Sequence, residues 1–145
     1  MLLSREAKLV SGVTLLAVPT VMYGGIAILG ILTRGTAGMW SGRVLDEVQW
    51  GLWRAGHAHA GVWLILSLVI QVLLDSAKLP AALAWLARIS APLAAVVVGG
   101  GFFGLAFEPG FRWLVYAGGL GLLIALLLAG VGLLRNLRSH EPPGR

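Results

Sequence analysis

Four stretches without a charged residue organise this chain: residues 9–33, 55–74, 89–107 and 113–134, each closed at both ends by a charge. At about 1.5 Å of rise per residue, each is long enough to cross a hydrocarbon core about 30 Å thick as a helix. A segment in lipid must satisfy its own backbone hydrogen bonds, so runs of this kind read as transmembrane helices. The composition agrees: 58% of the 145 residues are apolar and 12% charged, and the mean hydropathy is +0.88. Disordered chains have the opposite balance, and soluble enzymes carry about twice this charge. The expected fold is all-α, a transmembrane four-helix bundle in up-down-up-down order, because consecutive spans with short connections pack antiparallel.

The expected spans are 9–33, 52–74, 81–107 and 112–135, within a single domain over 1–138. The third span begins near Pro80, whose missing N–H costs nothing in a first helical turn. The first apolar run exceeds the roughly 7–15 residues of a signal-peptide core and no clear small-x-small cleavage pattern follows, so it is expected to be retained. The longest connection opens with Gly35, Gly38, Ser41 and Gly42 as a loop. Its apolar residues at 44, 45 and 48 suggest a short interfacial amphipathic helix over 43–51, or a lead into the second span. Pro109-Gly110 is a turn signal, and 139–145, with two prolines and a glycine, is expected to be a disordered tail.

Basic residues assign an orientation. Arg5, Lys8, Lys78, Arg88, Arg135, Arg138 and Arg145 fall on one side, against Arg34, Arg43, Arg54 and Arg112 on the other. By the positive-inside rule both termini are cytoplasmic, in a cell inner membrane. Trp40, Trp50, Trp53 and Trp113 then mark the outer aromatic belt, Trp85 marks the inner one, and Arg88 is expected at the interface. The net charge of +5 and pI near 10.8 do not imply nucleic acid, since the basic residues flank spans and form no stripe. The absence of cysteine excludes disulfides, thiolate zinc sites and iron–sulfur clusters.

Polar side chains inside a bilayer need a reason. The second span opens Leu52-Trp-Arg-Ala-Gly-His57-Ala-His59-Ala-Gly-Val and holds both intramembrane histidines; His140 lies in the tail. Each residue turns a helix by about 100°, so His57 and His59 point roughly 200° apart. They cannot grip one ion from one helix as an i, i+4 pair does. They can serve two sites, or one can coordinate while the other hydrogen-bonds to a neighbouring helix. The alternatives are interhelical hydrogen bonding and the lining of a water-filled vestibule. Ala55, Gly56, Ala58, Ala60 and Gly61 leave room for a flat group or for a close helix.

The segment Gly56-His-Ala-His-Ala-Gly-Val-Trp resembles the histidine-pair helix of heme-copper oxidase catalytic subunits, the cytochrome cbb3 and nitric oxide reductase types especially. That resemblance implies that His57 matches the ligand of the high-spin heme and His59 that of the low-spin heme. The family's further heme and copper histidines have no counterpart in the spans, so oxygen or nitric oxide reduction is not expected of a lone chain. Pro19-Thr-Val-Met-Tyr-Gly-Gly together with the histidine segment also resembles a group of small four-span bacterial membrane proteins, which carries architecture and no activity.

The expectation is therefore a membrane-embedded protein binding heme b or a copper or zinc ion through His57 and His59, with a redox or electron-transfer role. A homo-oligomer, or a larger respiratory-type membrane complex, could supply the missing ligands, since a two-fold axis repeats the same patch. Arg54 shares the His57 face one turn away and is either a snorkelling interfacial residue or a clamp for a propionate. Tyr116, at similar depth on the last span, is either an interfacial anchor or a hydrogen-bonding partner for a histidine. Gln71 is expected to be an interhelical donor, and Met22, a lone thioether, argues against a methionine copper relay. The competing functions are a small oligomeric transporter with a histidine-lined vestibule and an accessory subunit without chemistry. The spaced small residues Ala91, Ala95, Gly99 and Gly121, Ala125, Ala129 are expected at helix–helix contacts.

Overall fold

The computed structural model describes residues 2–33, 39–40 and 43–138. Four long helices account for nearly all of it: α1 (Arg5–Thr33), α2 (Glu47–Leu74), α3 (Ala81–Leu105) and α4 (Arg112–Arg138). All four are long and apolar enough to cross a membrane, with mean hydropathies of 1.8, 1.8, 1.8 and 2.4 over their most apolar windows. The protein is an all-α, multi-pass membrane protein. The loop residues Gly35 to Gly38, the pair Ser41-Gly42 and the tail 139–145, with His140 in it, lie outside the described residues.

The helix starts are written locally. The Ser4 hydroxyl accepts a hydrogen bond from the Ala7 amide at 3.1 Å and caps α1. At α2 the Asp46 carboxylate accepts from the Gln49 amide at 2.8 Å, and the Gln49 side chain accepts from the Asp46 amide at 3.0 Å. This reciprocal capping box starts the second helix at Glu47. No separate interfacial helix occupies 43–51. Arg43 and Val44 instead form a two-residue ladder (β2) with Met39–Trp40 (β1), and the later residues are the first turn of α2. Pro80 is the N-cap of α3, and a single 3₁₀ turn, Pro109–Phe111, opens α4 after the Glu108 carboxylate has accepted from Gly110. Pro19 and Pro92 sit inside α1 and α3 without ending either helix.

Contacts between helix ends establish the antiparallel order. Ser4, at the start of α1, bonds Asp75, at the end of α2. Trp53, near the start of α2, packs on Phe103 and Phe107, at the end of α3. The Lys78 amide donates to Gly132 O near the end of α4 at 2.8 Å. α3 is central, with α2 on one side and α4 on the other, and α1 lies mainly against α2. Only 11% of the apolar window of α1 is buried, against 28–33% for the others, so α1 is the most lipid-exposed helix.

Small residues set the spacing. Ala91, Ala94, Ala95, Ala125 and Ala129 are buried at the core of the α2–α3–α4 layer. A Cβ on Gly118 would stand 2.4 Å from Val98 Cγ2 and 3.1 Å from Ala94 O, so α4 approaches α3 nearly backbone to backbone. Gly99 faces α2 across Ala60, and Gly121 faces α3 at Ala94. In lipid, where apolar surface gives no drive to associate, such close approach is a main source of helix–helix attraction.

One end of the bundle holds a polar cluster. Asp75 accepts from the Ser4 amide at 2.8 Å and the Ser4 hydroxyl at 2.7 Å, and forms an ion pair with Arg88. Arg88 also donates to Gln71 O and Gln71 Oε1, both at 3.2 Å, while the Gln71 amide donates to Arg88 O at 2.9 Å. Gln71 is thus the interhelical donor expected of it. Arg88 is not interfacial: it is buried, because a carboxylate and two amide oxygens meet its guanidinium inside the bundle. Burial raises the Asp75 pKa, but the two Ser4 hydrogen bonds and Arg88 outweigh it and hold the carboxyl below its ordinary value.

Candidate functional site

The histidines sit in the third and fourth turns of α2, toward the end of the bundle opposite the polar cluster. The 3.6-residue period sends them to different neighbours. His57 faces α1 at Gly24 and Gly25: a Cβ on Gly25 would lie 2.8 Å from His57 Nε2, and one on Gly24 would lie 3.9 Å from His57 Nδ1. The two glycines are therefore what gives the imidazole its place. His59 faces α3, its ring centroid 4.9 Å from that of Phe102 and 5.9 Å from that of Trp63.

The two rings differ in their hydrogen bonding. His59 Nδ1 is 2.7 Å from Ala55 O, one turn back on its own helix. A carbonyl only accepts, so Nδ1 carries the proton and Nε2 keeps its lone pair. No hydrogen bond among the described residues engages the His57 ring. Its surroundings are apolar. On one side lies a cleft of about 310 Å³ between α1, α2 and α3, lined by Tyr23, Ile28, Ile31, Trp53, Phe103 and Phe107. On the other is a cleft of about 220 Å³ between α1 and α2, lined by His57 itself with Val18, Val21, Met22, Leu64 and Ile65.

The remaining sequence candidates fall in different places. Arg54 is exposed one turn before His57. Tyr116 is 61% exposed on α4 and packs against Trp113 at 5.6 Å, turned away from the bundle. Trp113 is a surface aromatic, with Arg112 over its ring at 5.4 Å. Trp50 and Trp53 do not form a lipid-facing belt: both are buried with Ile28, Leu45 and Ala106, 5.9 Å apart edge to face. They pack inward because they share the α2 stripe that leads to His57.

Sequence reasoning passed over Gly24 and Gly25 as partners of the site, and weighed Met22 only as a lone thioether. The signal available was the Gly-Gly pair beside Met22 in α1, a small-residue notch at the depth of a histidine. Among the described residues no three His, Asp or Glu side chains converge as a metal-binding group. No protein family, curated protein or solved structure matches the chain.

Proposed function

We propose that this chain is a membrane-embedded heme-binding protein, in which His57, on the α1 side of α2, and His59, on the opposite face, are the residues that would hold the group. The observation that carries the reading is the half-buried His57 imidazole, which lines an apolar cleft between α1 and α2 and makes no hydrogen bond to a described residue. A lone copper or zinc ion typically takes three or four protein ligands. A porphyrin brings four of its own and asks the chain for one or two. His57 alone could meet the second demand, but its Nε2 edge lies against Gly25, so a macrocycle there would require α1 and α2 to part.

A bound heme supplies a reversible one-electron couple. His57 would hold it from α2, and the apolar walls would keep water away. Arg54, exposed one turn toward the end of the bundle, would meet a propionate there with its planar fork. The hydrogen bond from His59 Nδ1 to Ala55 O orients its ring, as backbone carbonyls do for ligating histidines. The basic residues Arg5, Lys8, Lys78 and Arg135 around the Ser4–Asp75 end support cytoplasmic termini in an inner membrane. The histidines then lie toward the outer face, and electron partners would approach from that side or within the bilayer.

The test is the absorption spectrum of the chain purified in mild detergent, with heme and metal content per chain. A Soret band lost in His57→Ala, with the helical circular dichroism intact, is the expected result. A colourless protein that also fails to take up added hemin refutes the reading. Stoichiometric copper or zinc without heme would replace it by an ion site shared between copies.

A further inference from the structure

The larger apolar cleft, about 310 Å³ between α1, α2 and α3, lies at the lower end of the volumes that hold small molecules. One wall is aromatic: Trp53 of α2 stands edge to face with Phe103 and Phe107, at centroid distances of 5.7 and 6.1 Å. Tyr23 lines the cleft from α1. Trp53 is buried, whereas Tyr23 is 74% and Phe107 45% exposed, so the floor is inside the bundle and the mouth is on the lipid-facing surface. Along α1 the cleft runs from Tyr23 to Ile31, about 12 Å at 1.5 Å per residue. Among the described residues no charged side chain lines it. Gly24 does line it, and a Cβ built on Gly24 would meet His57 alone, 3.9 Å from Nδ1. With no side chain at Gly24, the Nδ1 edge of the imidazole borders the cleft, while Gly25 closes the Nε2 edge.

These features select an occupant. A mouth in lipid and walls without charge exclude a soluble ionic metabolite. Four aromatic rings favour a flat ring over a flexible acyl chain, because ring–ring contacts add to plain burial. The volume admits such a ring and not a macrocycle. The imidazole nitrogen at the Gly24 end asks for an oxygen on that ring. We propose that this cleft binds the head group of a membrane-soluble quinone, its ring among Tyr23, Trp53, Phe103 and Phe107, one carbonyl oxygen accepting from His57 Nδ1–H, and its tail leaving through the mouth into lipid. The proposal needs no metal and does not rest on the heme reading.

The experiment uses the full chain in detergent, labelled with a photoactivatable azidobenzoquinone and competed with decylubiquinone. The adducts are mapped by mass spectrometry. Competed labelling should fall on the peptides that hold Tyr23 and Phe103 to Phe107. Ala27→Phe, which fills the cleft from α1, should abolish it. His57→Ala removes one hydrogen bond and should raise the half-competing concentration about tenfold. Gly24→Ala puts a methyl between the ring and Nδ1 and should do the same without loss of helical circular dichroism. Labelling spread over the exposed face of α4, or displaced by hexadecane as well as by decylubiquinone, overturns the proposal, the second result marking an acyl-chain groove. Wild-type competition in both His57→Ala and Gly24→Ala overturns the assignment of Nδ1. A chain that takes no hemin but shows the competed labelling refutes the heme reading and supports this one, and a heme-loaded chain without competed labelling does the reverse.

Discussion

Replacing Gly25 by alanine tests the contact on which the site is built. The added Cβ would stand 2.8 Å from His57 Nε2 and 2.9 Å from Cε1, closer than van der Waals contact permits. The ring must rotate or α1 must move off α2. Overpacking of this size costs about 1–3 kcal/mol, while alanine in place of helical glycine stabilises by about 1 kcal/mol. The net expectation is a loss of about 1 kcal/mol. Gly24→Ala meets the same ring at an ordinary 3.9 Å, and Gly12→Ala meets nothing within 4 Å. Both should keep the helix-propensity gain, so Gly25→Ala should fall below Gly24→Ala by the overpacking cost, about 1–3 kcal/mol. The assay is reversible unfolding in mixed micelles, followed by circular dichroism as the denaturing detergent fraction rises. Each variant is measured with and without His57→Ala. Removing the ring removes the clash, so the Gly25→Ala penalty should vanish in that background, a coupling of about 1–3 kcal/mol. Equal stability of the Gly24 and Gly25 variants, or a penalty that survives loss of the ring, would refute the placement of His57 against α1.

Asp75→Asn strands the buried Arg88 charge and should cost about 3 kcal/mol in the same unfolding assay, whereas a paired replacement by Leu and Met should recover most of it. The Asp75 carboxyl has a depressed pKa when folded, so its stabilisation is complete above the ordinary carboxylate value of about 3.9 and is lost as pH falls through the lower folded value. An acid titration of stability should therefore lose a step in Asp75→Asn. Gly118→Ala drives a methyl into Val98 Cγ2 at 2.4 Å and toward Ala94 O at 3.1 Å. Backbone cannot give way as a side chain can, so a loss above about 2 kcal/mol is expected, read as a lower unfolding midpoint. Asp46→Ala removes the α2 capping box and should cost about 1 kcal/mol, with faster amide exchange confined to the first turn of α2.

What was legible in the sequence was local. Charge-free runs bounded by charges locate four helices, and Asp46 with Gln49 three residues on is a capping pair visible in the chain itself. The residue period alone separates His57 from His59, because 100° per residue is a property of any α-helix. The sequence misled where the answer depended on how a helix is rotated against its neighbours. Arg88 reads as interfacial because an arginine at a span boundary can reach water, and nothing local reveals that Asp75, Gln71 and Ser4 converge on it. Trp50 and Trp53 read as a belt for the same reason.

Composition and the charge-free runs determined that this chain is a multi-pass helical membrane protein, and the helical period that its two spanning histidines face apart. Tertiary structure decided what each histidine faces: the Gly24-Gly25 notch of α1 for His57, and Phe102 of α3 for His59. The physical reason is that lipid and protein interior are equally apolar, so hydropathy cannot distinguish a face that meets another helix from one that meets acyl chains. Only the close approach permitted by glycines on a distant helix makes that distinction.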